Sequence, residues 1–497
     1  MSSLARGGWR LPAGIAVLLP ILAGLTAWRL LAVWHLDLEL YADEAQYWSW
    51  SLTPDWGYYS KPPMVAWLIA LTTGIFGDAE LGVRAATFLI WPLTALGLYL
   101  LTRRLFDGEP WAERAAFWSA VAFACLPMTF LGGVLITTDG PLLLFWTLTL
   151  YFLAGALARN RWRDWLLVGA AAGLGLLSKY SMVFLAPAFL VYLLTTPEHR
   201  RLLMSAKPYA AAGVALAVLS PNLLWNARHD FVSFQHTAEI SQLDRAWLNP
   251  DAFLAFAGAQ FGVFGPVMAL GLLLLTLRPK ALLMDRRLAF LAAFSLVPLA
   301  AFLGLSLLSR AFANWAAFAY TAGTVLVVVT WIARDRHRWL AWALGLNVAL
   351  GGVLYHYHDL ARAIDIELTR KTDPYARITG YRALGREVQR LLAAHPEARL
   401  LGDDRKSFAS LLYYTRPLSR DAAYLNPSRR IGDHFALTAN VALRPAGSYI
   451  LVSKGRTGAE LERWFTEVQA LEHIHVRTHR DHALDYEAWL VRGFRGY

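Results

Sequence analysis

Apolar runs close to 20 residues long recur through the first 355 positions of this 497-residue chain, and that recurrence bounds the fold more tightly than any other feature. A bilayer core about 30 Å thick needs roughly 20 apolar residues for each helical crossing. Lipid offers no water to backbone polar groups, so only helices or closed barrels span it. The runs are continuous rather than alternating, which selects helices. They lie at 11–34, 81–102, 113–131, 140–158, 164–178, 181–195, 208–225, 252–277, 288–308, 313–333 and 338–355. The first is too long for a cleaved signal peptide and lacks the small-residue exit of one, so it is read as a span. Composition agrees: 57% of residues are hydrophobic and 17% charged, against about 45–50% and 25% in soluble domains. The single cysteine, Cys125, excludes a disulfide scaffold.

One apolar segment, 62–76, has only about 15 residues, closer to an interfacial or re-entrant helix than to a crossing. Basic residues decide its role, because arginine and lysine accumulate in cytoplasmic loops. With 62–76 kept on one side, eighteen basic residues fall on one face, among them Arg6, Arg10, Arg103, Arg159, Arg200, Arg286 and Arg336. Five fall opposite: Lys61, Lys179, Arg228, Arg245 and Arg310. The expected topology is therefore eleven crossings, N-terminus inside and C-terminus outside. The net charge of +11 then needs no nucleic-acid partner. After about residue 360 the chain turns charge-rich, with helical spacing over 377–395 and short strands at 448–453, 472–477 and 488–492. The expected organisation is a polytopic α-helical membrane domain over 1–358, with re-entrant or juxtamembrane helices, and a small external α/β domain over 359–497.

The polar residues that need a reason gather on the outer face. The loop 35–62 carries Asp43 and Glu44, then Tyr58 and Lys61 before two prolines. The turn two spans later reads Thr137-Thr138-Asp139-Gly140-Pro141. A carboxylate such as Asp139 between two spans costs several kcal/mol if it faces lipid. Asp139 can also cap the next helix, and Asp43 and Glu44 can be solvated loop charges. The expected convergence of two carboxylates and a lysine at one membrane rim favours a site. Arg228, His229 and Arg310 are further candidates for binding phosphate, with interfacial anchoring as the alternative, and Lys179 with Tyr180 has the same standing. Gly169 and Gly173, four apart inside a span, suit close helix packing. His356 and His358, and His473, His475, His479 and His482 in the tail, have no carboxylate or cysteine in sequence that completes a metal set. No loop offers a Walker or dinucleotide phosphate cradle.

The ordered set Asp43-Glu44-Ala45, Lys61-Pro62-Pro63 and Thr137-Thr138-Asp139-Gly140-Pro141 resembles the GT-C membrane glycosyltransferases. It is most similar to the branch holding the bacterial lipid A aminoarabinose transferase, the rhizobial galacturonosyl transferases and the protein O-mannosyltransferases. The resemblance covers most of the membrane region and is strongest from Tyr41 to Asp139. It implies transfer from a polyprenyl-phosphate-linked sugar donor to a lipid or glycan acceptor at the periplasmic face of the bacterial inner membrane. It also implies that Asp43 acts on the acceptor hydroxyl, that Lys61 meets the lipid phosphate with Tyr58 nearby, and that Asp139 is the second acid. Glu44 is carried as a substrate contact. Where the aminoarabinose transferases have arginine, this chain has Gln46.

The chemistry suits those residue types. A departing phosphate is an anion that lysine or arginine stabilises, and an attacking hydroxyl gives its proton to a placed carboxylate. One displacement inverts the anomeric centre, which is the expectation. The residues name no cofactor, and a divalent cation stays open. A transporter or flippase of lipid-linked sugars is the main alternative, and it predicts repeat symmetry and broken helices near the midplane. A protein O-mannosyltransferase is another.

Overall fold

The computed structural model describes residues 13–241, 248–444 and 447–497. Arg6, Arg10 and Arg245 lie outside them. The first helix, α1 (Ala13–Leu36), turns most of its surface outward. Two short helices follow, α2 (Ala42–Ser51) and α3 (Met64–Phe76), then α4 (Glu80–Arg84), which runs into α5 (Thr87–Leu105). The bundle continues with α6 (Ala112–Ala124), α7 (Pro127–Gly132), α8 (Asp139–Arg159), α9 (Trp162–Ser178), α10 (Leu185–Thr195) and α11 (Ala206–Arg228). After α12 (Val232–Ser241) come α13 (Pro250–Phe264), α14 (Pro266–Thr276), α15 (Pro279–Met284), α16 (Arg286–Leu308), α17 (Ala319–Ala333), α18 (His337–Tyr355) and α19 (Tyr357–Ala363).

Among the described residues five helices are long and apolar enough to cross a bilayer: 14–36, 80–105, 139–159, 206–228 and 286–308. The expected span 252–277 is instead α13 and α14, bent by 117°. Gly265 takes φ +87, and Pro266 opens the next helix where its missing N–H costs nothing. Just before α13 the Asn249 N–H donates to the Leu307 carbonyl at the end of α16, and after α14 the short α15 leads into Arg286 at its start. A second bend, of 76°, separates α18 from α19. The short α17, about 22 Å long at 1.5 Å per residue, is apolar all round and buried from Ala319 to Ile332. It is the centre of the bundle, against α6, α14 and α16.

The two ends of the bundle differ. At one end, Arg103 pairs with Glu113, Arg159 with Asp164 and Arg287 with Glu109. The other end carries a C-terminal α/β layer, and both termini of α3 stand there: Lys61 precedes the helix, and Asp78 after it meets Tyr413 and Arg416. At about 20 Å, α3 is too short for a crossing.

The C-terminal layer contains α20 (Tyr381–Ala394), β1 (Ala398–Gly402), α21 (Arg405–Tyr414), β2 (Ala423–Tyr424), α22 (His434–Thr438), β3 (Ser448–Ser453), α23 (Gly458–Leu461), β4 (Phe465–His479) and β5 (His482–Phe494). The sheet order is β2-β1-β3-β5-β4, parallel among the first three and antiparallel from β3 onward. The expected strands 448–453, 472–477 and 488–492 lie in β3, β4 and β5. The sequence reading does not contain β1 and β2, which are too short to show alternation. One apolar cluster runs through Trp48 and Trp50 of α2 into Leu411 and Tyr413 of α21, so the layer is seated on α2.

Close packing explains the two glycines of α9. A Cβ at Gly169 would lie 2.3 Å from the Ala211 carbonyl oxygen, and one at Gly173 would lie 2.6 Å from Val218 Cβ. Gly169→Leu is expected to lower the melting temperature in detergent by several degrees by forcing α9 from α11. Gly213→Leu, where nothing lies within 4 Å, is the control and should melt like the parent.

Candidate active site

The site begins with a carboxylate that is not available to it. Glu44 in the first turn of α2 is buried, and Arg84 grips it through two bonds, Nε to Oε1 at 2.9 Å and Nη2 to Oε2 at 2.7 Å. The backbone N–H groups of Tyr41 and Ile136 donate to the same carboxylate. Arg84 also donates to the carbonyls of Leu38 and Glu39. Glu44 is therefore a framework residue, and the expected substrate contact does not hold for it. Successive helix residues project about 100° apart, so turning Glu44 inward presents Asp43 on another side of α2.

Asp43 is half exposed. Its Oδ1 accepts from Arg405 at 2.9 Å, and the same guanidinium nitrogen donates to Gln46 Oε1. Arg405 opens α21, 362 residues away in sequence. Burial opposes its charge, and the Asp43 carboxylate outweighs that burial and holds its pKa up. Among the described residues nothing donates to Asp43 Oδ2.

Asp139 is more enclosed. Lys179 Nζ reaches Oδ1 at 2.6 Å, and Asn314 Nδ2 reaches Oδ2 at 2.6 Å. It opens α8, where the free N–H groups favour a negative charge, yet its carboxylate makes no capping bond. The capping alternative is thereby corrected: both oxygens face the lysine and the asparagine. Tyr47, one turn after Asp43, is buried, and its pKa is raised first by burial and then by the Asp43 and Asp139 charges.

Lys61 sits in the field of the whole group. Burial pulls its pKa down to about 8, with Lys179 adding to the fall, Asp139 and Asp43 opposing it, and Arg405 adding again. Among the described residues its ammonium makes no hydrogen bond or ion pair. Three cations and two carboxylates thus meet at the end of the bundle that faces the C-terminal layer, and of these three cations Lys61 is the one without a partner among the described residues.

The remaining expected residues divide. Tyr58 is buried, stacked on Trp50 at 4.5 Å, and donates to the Trp50 carbonyl, so it forms the floor of the loop rather than an open contact. His229 stacks on Trp225 at 4.1 Å and bonds its carbonyl. Arg228 is exposed, and Arg310 is exposed over the ring of Phe312. Neither pairs with Asp43 or Asp139. Beyond Arg228 and His229 comes α12, where Ser233 donates to the Tyr58 carbonyl and His236 packs on Tyr59. Burial, with the Lys61 and Arg405 charges, lowers the His236 pKa to about 4, so it is neutral at pH 7. The sequence reading omitted Arg405, Tyr47 and His236. It also omitted Asn314, whose amide carries no signal in sequence, and held Lys179 second-rank, its charge between two apolar segments being the available signal.

The chain is similar to several known proteins. A family profile described as dolichyl-phosphate-mannose-protein mannosyltransferase matches residues 60–225. The lipid A galacturonosyltransferase RgtD of Rhizobium johnstonii is 32% identical over 411 residues, covering 81% of this chain and 83% of that protein. The undecaprenyl phosphate-alpha-4-amino-4-deoxy-L-arabinose arabinosyl transferase of Pseudomonas aeruginosa is 33% identical over 174 residues, 33% of this chain and 29% of that protein. Among solved structures, ArnT from Cupriavidus metallidurans bound to undecaprenyl phosphate superposes with a TM-score of 0.64. That match has 16% identity and covers 96% of this chain and 97% of the other.

The Glu44 arrangement separates two adjacent acids by experiment. Glu44→Ala leaves Arg84 buried without its counter-charge and is expected to cost about 3–5 kcal/mol. The protein should then be lost to proteolysis in the membrane. Asp43→Asn should accumulate and melt like the parent, as measured by fluorescence size-exclusion chromatography after heating.

Proposed function

The chain belongs to the GT-C membrane glycosyltransferases, the family of the lipid A galacturonosyltransferase and the aminoarabinose transferases, and on that premise we propose that it moves a sugar from a polyprenyl-phosphate donor onto lipid A at the outer face of the bacterial inner membrane. The juxtaposition of an unpaired Lys61 with Asp43 and Asp139 carries this reading. The acceptor oxygen attacks C1 of the sugar, and the bond from C1 to the phosphate oxygen breaks. The hydroxyl proton passes to Asp43, whose Oδ2 is open while Arg405 holds Oδ1. The departing phosphate takes its negative charge to Lys61, where low dielectric strengthens the attraction. Both Asp139 oxygens are occupied, so Asp139 holds Lys179 and Asn314 in place and leaves proton transfer to Asp43. The displacement inverts the anomeric centre.

Eleven crossings with the N-terminus inside are consistent with the clustering of Arg103, Arg159 and Arg287 at the end remote from the site. The membrane part then covers 1–358 and the periplasmic part 359–497. Charge gathered at one end suits surface chemistry better than passage of a lipid-linked sugar.

Membrane vesicles given a polyprenyl-phosphate sugar and lipid A test the proposal. Parent protein should yield glycosylated lipid A by mass spectrometry, and Asp43→Asn should transfer on the order of 10²–10⁴ times more slowly. Transfer at the parental rate by that variant would overturn the base assignment. Lys61 supplies a pH test. It is protonated below about pH 8 and neutral above, so the KM for donor should rise as pH climbs through about 8. Lys61→Arg, charged throughout, should abolish that rise.

A further inference from the structure

The second feature that calls for a ligand lies away from this site, on the outer face of the β4–β5 hairpin. In sequence His473 and His475 lack a carboxylate partner; the sheet supplies one across the strands. β4 and β5 run antiparallel with His473 opposite Glu487 and His475 opposite Asp485. Alternation sends the intervening residues the other way: Ile474, Tyr486 and Ala488 are buried beneath. The four polar side chains therefore stand together on one exposed face, above a packed layer that fixes their backbones.

The bonding pattern already has the form a metal uses. His473 Nδ1 bonds Glu487 Oε1 at 2.8 Å, while its Nε2 points at Asp485 Oδ1, 3.3 Å away. His475 Nδ1 lies 2.7 Å from the same Asp485 oxygen. Ligand atoms from His473, His475 and Asp485 all lie within 4.8 Å of one another. Small side-chain rotations around a central ion would bring them to the 2.0–2.2 Å of zinc–nitrogen and zinc–oxygen bonds. Glu487 stays outside the ion: it accepts the His473 Nδ1–H and so fixes the tautomer that leaves Nε2 free to ligate.

We propose that His473, His475 and Asp485 form a surface zinc-type site, with Glu487 orienting His473 and a fourth position left to water or an anionic oxygen. Two imidazoles and one carboxylate select a borderline transition ion over magnesium or calcium, which prefer oxygen donors. The site joins the edge strand β4 to β5, so a bound ion ties together the outermost pair of the sheet. It is independent of the transfer reaction.

The test uses full-length protein in detergent, stripped with chelator and desalted, then titrated with zinc chloride and separately with magnesium chloride by calorimetry. One zinc ion per chain is expected, with a rise in melting temperature. His475→Ala and Asp485→Asn, both at exposed positions, should weaken that binding at least tenfold while melting like stripped parent without zinc. A third variant, His358→Ala, removes a histidine that faces Asp373 elsewhere and should bind zinc like the parent. Failure of the parent to take up zinc, equal zinc affinity in the His475 and Asp485 variants, or magnesium binding as tight as zinc would each overturn the proposal.

Discussion

The buried pair of Glu44 and Arg84 is the constraint from which the rest of the site follows. It joins three pieces of chain that are far apart in sequence: the loop at Leu38 and Glu39, the helix α4, and the backbone at Ile136. Two charges withdrawn from water are costly unless every bonding group is used, and here both carboxylate oxygens and the guanidinium fork are used. The geometry that satisfies them places Asp43 one residue beyond Glu44 and brings the turn ahead of Asp139 to the same place. The two candidate acids are thus positioned by an ion pair that itself touches no substrate.

Charge is then graded across the cleft. Asp139 is held on both oxygens, Asp43 on one, and Lys61 on none. In water such differences would matter little, but a partly dry cleft magnifies them. A carboxylate with a free oxygen and an ammonium with free protons are what an incoming hydroxyl and an outgoing phosphate each require. The same grading separates two aspartates that are equivalent in sequence.

Much of this was legible in the sequence, and the gaps have physical causes. Asp43, Lys61 and Asp139 stand out because charge beside long apolar runs is expensive, and the structure brings them together. Glu44 is misread because two adjacent acids on a helix look alike until tertiary packing turns one inward. Tyr58 has the right neighbourhood, but its ring is committed to Trp50. The bend in 252–277 was written in Gly265-Pro266, yet hydropathy averages over such a pair. Arg405 carries no local sign at all: it is an ordinary first-turn arginine of a soluble helix, and only the docking of α21 on α2 gives it a role. Asp485 and Glu487 were hidden for the same reason, because strand pairing rather than spacing makes them neighbours of the histidines.

Arg405 also bears on how such a chain can change over time. Its counter-charge reaches Asp43 from the C-terminal layer, so the bonding of that carboxylate is set partly by a helix far along the chain. Exchanging C-terminal layers between relatives would therefore reach into the site itself. Each graft would bring its own cation, or none, to the aspartate, and the two halves are bound to evolve as one electrostatic unit.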